Sequence, residues 1–182
     1  MNDSEIKASL EKAKIGIYRY HEIMNLFHSV DVSINLDFQK KFNAFYRVRQ
    51  RNSEWYNAYY SLMQQSKCTT PVFGEILDSI NRLLGRYEPS FSSKLLATID
   101  PNRPIWDIHI LKNTGHKAPA YSSKNKFNEA KKAYESIDDW YKKFLDTEDG
   151  RRIIHVFNTE IYHHAKISDV KKVDFILWQT RV

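Results

Sequence analysis

Residues 70–85 read TPVFGEILDSINRLLG, and this stretch decides the fold class. Its apolar side chains, Phe73, Ile76, Leu77, Ile80, Leu83 and Leu84, recur mostly three and four positions apart, which lays them along one face of an α-helix. The ends carry helix punctuation. Thr70 is an N-cap residue type, Pro71 suits the first helical position because its missing N–H is not needed there, and Gly85 suits the left-handed residue that closes a helix.

The same period continues on both sides. Toward the N-terminus it predicts a first helix capped by Ser4 with Ile6, Leu10, Ile17, Met24 and Phe27 inward. A second opens at Asp37 and carries Phe38, Phe42, Phe45 and Tyr46; a third begins at Ser53 and carries Trp55, Tyr56, Tyr59, Leu62 and Met63. Toward the C-terminus a short helix is expected around Phe91–Thr98, then the breaker Asp100-Pro101-Asn102-Arg103-Pro104, then a helix from Asp107 to Gly115. After a polar loop over Thr114–Asn125, one helix carries Phe127, Ala130, Ile137, Trp140, Tyr141 and Phe144. Another carries Ile153, Ile154, Phe157 and Ile161, and a last, capped by Ser168, carries Val170, Val173, Ile176 and Leu177. Alternation of period two is hardly present, and Gly and Pro number only 5 each in 182 residues, too few for the turns of a sandwich or barrel. The reading is an all-α chain of eight or nine helices forming a single domain over residues 1–182, with no repeat and no linker.

Hydrophobic residues make up 42% and aromatics 14% of the chain, enough for a packed core and too many for a disordered tail. No run of about 18 apolar residues occurs, so a membrane partner is not expected. The N-terminus, MNDSEIKASLEKAK, is polar from its first residue and has no signal-peptide pattern, so a cytoplasmic location is the expectation. A single cysteine, Cys68, excludes an internal disulfide and a cysteine-ligated cluster, and is expected to act as a small buried or half-buried apolar side chain. His155, His163 and His164 lack chelating spacing, and neither a metal nor a cofactor is expected.

The net charge is only +6, but it is unevenly distributed. Lys40, Lys41, Arg47, Arg49 and Arg51 crowd the second helix and its end. Arg82, Arg86, Lys94, Arg103 and Lys112 stud the middle, and Lys117, Lys124, Lys126, Lys131 and Lys132 surround the long loop. Acids gather later, at Asp138, Asp139, Asp146, Glu148 and Asp149. A phosphate-facing surface needs such a basic middle; a solvated mixed-charge surface is the plainer reading of the same residues. The aromatics of residues 42–60, interleaved with Arg47, Arg49 and Arg51, suit a stacking platform, although their helical spacing favours packed core.

Residues 90–115 read SFSSKLLATIDPNRPIWDIHILKNTG, a helix, a Pro-bounded turn and a helix, with Asp107 at the second helix's N-terminus. There a carboxylate meets unpaired backbone N–H groups and the positive end of the helix dipole, and capping alone accounts for the residue type. The order Pro104-Ile105-Trp106-Asp107-Ile108-His109-Ile110 also resembles the P-V-D-x-H-V segment of the helix-hairpin-helix DNA glycosylases, the superfamily of endonuclease III and 8-oxoguanine glycosylase. Ser92-Ser93-Lys94-Leu95-Leu96 resembles the helix carrying a lysine in its bifunctional members.

This resemblance, over about residues 85–115, implies a distantly related fold and DNA as partner. Asp107 would be the catalytic carboxylate of base excision and Lys94 an amine nucleophile. Arg86, Tyr87, Phe91, Ser92, Ser93, Arg103, Trp106, His109 and Lys112 would line the nucleic acid, with Tyr87, Phe91 or Trp106 as a wall for an extruded base. The chain departs from the superfamily in having no L-P-G-x-G hairpin: residues 85–93 read GRYEPSFSS. Lys94 and Asp107 also stand only thirteen positions apart, fewer than is usual there. A non-catalytic binding module of the same fold, and a helical interaction domain without a nucleic-acid role, are the alternatives.

Overall fold

The structure, a computed structural model, describes residues 1–180. Among them it contains nine α-helices, one 3-10 turn and no strand, which makes the chain all-α. The helices are α1 (Asp3–Ser29), α2 (Leu36–Tyr46), α3 (Ser53–Ser66), α4 (Phe73–Leu84), α5 (Pro89–Ile99), α6 (Ile108–Asn113), α7 (Lys126–Leu145), α8 (Glu148–Glu160) and α9 (Asp169–Gln179). They form two compact units. One comprises residues 15–100; the other joins residues 1–14 to residues 101–180. None of the described helices is long and apolar enough to cross a membrane.

The unit of residues 15–100 holds the rest of α1 and α2 to α5. Its core is aromatic: Phe27, Phe38, Phe42, Trp55, Tyr59 and Tyr60 are almost wholly buried. The interleaved aromatics of residues 42–60 are therefore mostly core, with Trp55 and Tyr59 stacked at 4.6 Å between centroids. α4 adds Phe73, Ile76, Leu77 and Ile80 on the face expected, and Gly85 closes it at φ +62°. The helix begins at Phe73 rather than at Pro71. Val72 stays extended and its N–H is taken by the Glu75 carboxylate at 3.1 Å, which sets the cap there. Two other starts differ from expectation for the same kind of reason. Asn2, not Ser4, caps α1 through reciprocal bonds with Glu5, and Asn35 caps α2, leaving Asp37 in the first turn to pair with Lys41. Cys68 is exposed, not buried, because it lies in the turn that follows α3.

In the other unit, α9 is the innermost element. Its residues Val170 to Leu177 are buried without a break, between α6, α7 and α8, and Ser168 caps it as the sequence suggests. A helix buried on all sides must bury its polar residues too. Lys171 and Asp174 pair inside at 3.4 Å, and the Tyr141 hydroxyl donates to the same carboxylate. Ile6, Leu10, Trp106, Ile110, Ile137 and Phe157 supply the surrounding apolar packing.

Candidate nucleic-acid interface

The residues singled out by the sequence fall in both units. Arg86, Tyr87, Phe91, Ser92, Ser93 and Lys94 belong to the unit of residues 15–100, and Arg103, Trp106, Asp107, His109 and Lys112 to the other.

In the first group the organising residue is Glu88, at the N-cap of α5, with Pro89 at the first helical position. Arg51, arriving from the α2–α3 connection, places Nη2 at 3.0 and 3.2 Å from the two Glu88 carboxylate oxygens. Its guanidinium lies 5.3 Å from the Trp55 ring centre and 5.1 Å from that of Phe91, within cation–π range of both. Lys94, one turn into α5, holds its ammonium 5.0 Å from the Phe91 ring and 6.0 Å from the Tyr46 ring, and donates to the Tyr46 carbonyl at 3.4 Å. Phe91 thus carries two cations, and its own carbonyl is fixed by the Tyr59 hydroxyl at 2.9 Å.

Partial burial pushes the Glu88 carboxyl above its ordinary range, while the positive charges of Arg51, Arg86 and Lys94 pull it down. Arg51 and Lys94 share the Phe91 ring beside this carboxylate, and Arg86 acts on it electrostatically. Arg86 is exposed and Tyr87 half-buried beside it. Ser92 and Ser93 depart from the expectation that they line the nucleic acid. Both are fully buried, and their hydroxyls return to carbonyls of their own chain, Ser92 to Glu88 and Ser93 to Ser90, each at 2.9 Å.

The second group is built around α6. Asp107 is its N-cap in extended conformation and accepts the His109 N–H at 2.9 Å; the carboxylate is half-buried. The preceding turn is firmly held: the Pro104 carbonyl accepts the Tyr134 hydroxyl at 2.7 Å, and Trp106, only 5% exposed, is core rather than an accessible wall for a base. Arg103 is engaged with Asp138 at 3.1 Å. His109 is half-buried and Lys112 exposed. Asn113 ties α6 to the end of α9 through the carbonyls of Leu177 and Thr180, at 2.7 and 2.8 Å.

Two features escape the sequence reading. Arg51 with Glu88 is a pair separated by 37 residues, which only packing brings together. The buried Lys171–Asp174–Tyr141 set was signalled by two lysines and an aspartate set in an otherwise apolar run, VKKVDFIL. Burial raises both the Asp174 carboxyl and the Tyr141 phenol, and the charge of Asp107 contributes to each, which puts Asp107 within electrostatic reach of this set. No protein-family model, curated protein or solved structure matches the chain.

Proposed function

We propose that the protein binds DNA, and that the cationic cluster at the start of α5 is a principal contact. The observation that carries this reading is that Arg51 and Lys94 both lie over the Phe91 ring at the start of α5, with the exposed Arg86 just before that helix. Cationic side chains at this end of α5 suit phosphate, and the Phe91 ring holds two of them, Arg51 and Lys94, in place. The test is fluorescence anisotropy with labelled single-stranded and duplex DNA over a range of salt. Binding should weaken linearly in log–log form, with a slope near −0.9 for each duplex phosphate contacted, or about −0.7 for single strands. Absence of binding at low ionic strength would leave the helical protein-interaction domain as the reading.

A base-excision role for Asp107 is the second reading. It is favoured by the placement of this half-exposed carboxylate at the N-terminus of α6, directly after Pro104-Ile105-Trp106, as the glycosylase resemblance implies. In that chemistry the base departs with the electrons of the glycosidic bond, water then adds at the sugar carbon as a hydroxyl, and the proton it releases ends on the departed base. An ionised carboxylate stabilises the positive charge that develops between these events. Lys94, seated over two rings and donating to a carbonyl, is placed as a bound cation and serves contact in this reading. Excision on a panel of damaged-base duplexes, lost in Asp107→Asn, is the expected result; an unchanged rate removes the catalytic role.

A further inference from the structure

Among the described residues, three helices are followed within two positions by a left-handed residue. Two use glycine, the residue that adopts this conformation freely: Gly85 at φ +62° after α4 and Gly115 at φ +74° after α6. The third, α2, ends on Arg47 at φ +55°, and three residues later Gln50 takes the same φ. Both side chains put a β-carbon where one is penalised, and both belong to a single connection, RVRQR, over residues 47–51. From Lys40 to Arg51 the chain has five cations and no acid.

The connection is anchored along its length. Tyr46 and Val48 are buried, the Val48 N–H donates to the Asn43 carbonyl at 2.9 Å, and Arg51 is clamped by Glu88 between the rings of Trp55 and Phe91. Arg47, Arg49 and Gln50 alternate with these anchors and are exposed. A pinned, strained segment that turns two arginines and an amide outward has its backbone ordered before binding, which removes that part of the cost.

We infer that the Arg47–Gln50 connection is a second phosphate-contact site for the DNA backbone, continuous through Arg51 with the cluster at Glu88. The inference rests on the DNA-binding reading above and extends it to residues outside the segment that suggested it. The strain gives a sharp test, because glycine at position 47 should relax the backbone while deleting the cation.

The experiment compares wild type, the double variant Arg47→Gly/Arg49→Gln, and a charge-matched control, Lys12→Gln/Lys166→Gln, in anisotropy titrations with one DNA duplex. In the double variant the salt slope should shrink by about 1.8, and affinity should fall on the order of tenfold per lost contact at about 0.1 M salt. Its far-UV circular dichroism should match that of wild type, and the control should bind as wild type does. If wild type binds and the loop variant binds equally well, or the control loses as much, the loop site is overturned while DNA binding stands. If wild type binds no DNA, the function proposed above fails and the loop site fails with it.

Discussion

Asp107 caps a helix whatever else it does, and two substitutions separate the cap from the charge. Asparagine keeps an oxygen for the His109 N–H, so Asp107→Asn should unfold within a few tenths of a kcal/mol of wild type. Asp107→Ala should cost about 1 kcal/mol in urea denaturation. Only against that background does a lost activity in Asp107→Asn speak of charge. Glu88 offers a pH test. Burial holds its carboxyl raised despite three nearby cations. Such a group keeps its proton better in the folded state than in the unfolded one. The stability it contributes is fully present below the unfolded value and declines as pH rises through the folded one. Glu88→Gln should therefore gain on wild type as pH climbs from about 4 to about 7, read as urea midpoints; a difference that stays flat with pH would contradict the assigned cause.

Among the elements, glycines at two helix boundaries are used for different reasons. Gly85 needs its backbone freedom and nothing lies within 4 Å of a β-carbon added there, so Gly85→Ala should cost only the conformational penalty, about 1 kcal/mol. Gly150, in the first turn of α8, needs room: a β-carbon would meet the Phe144 carbonyl oxygen at 2.1 Å. The obstacle is backbone at the α7–α8 corner and cannot rotate away. Gly150→Ala should exceed the Gly85 penalty and reach about 2 kcal/mol or more by thermal or chemical denaturation. The first of these roles is readable from sequence, because a glycine after a periodic apolar run marks a helix end. The second is not, because the clash involves a turn whose path depends on how α7 meets α8. The start of α4 shows the same limit: Thr70-Pro71 fits a cap, yet the Glu75 carboxylate selects Val72.

At the scale of the whole molecule, the polar interior around α9 is the strongest test of how the chain tolerates buried charge. Lys171→Met leaves Asp174 buried without its ammonium partner and should destabilise by about 3–5 kcal/mol, while adding Asp174→Leu should restore much of the loss. If the loss in the double variant, measured by denaturation, equals the sum of the losses in Lys171→Met and Asp174→Leu, the pair is not coupled. The candidate interface depends on the same kind of long-range placement. The sequence supplied a basic middle and named Arg86 and Lys94; Glu88 as their common neighbour emerged only with Arg51 folded against it.

What the chain determined by itself is its helical character and most of its helix ends, because period, caps and left-handed closers act among residues three to five positions apart. Tertiary packing decided which polar groups go inside, Ser92, Ser93, Lys171 and Asp174 among them, and which cations meet around one carboxylate. The physical reason is that burial and ion pairing are settled by surfaces brought together from distant segments, and no local pattern of hydrophobicity records which surface will arrive.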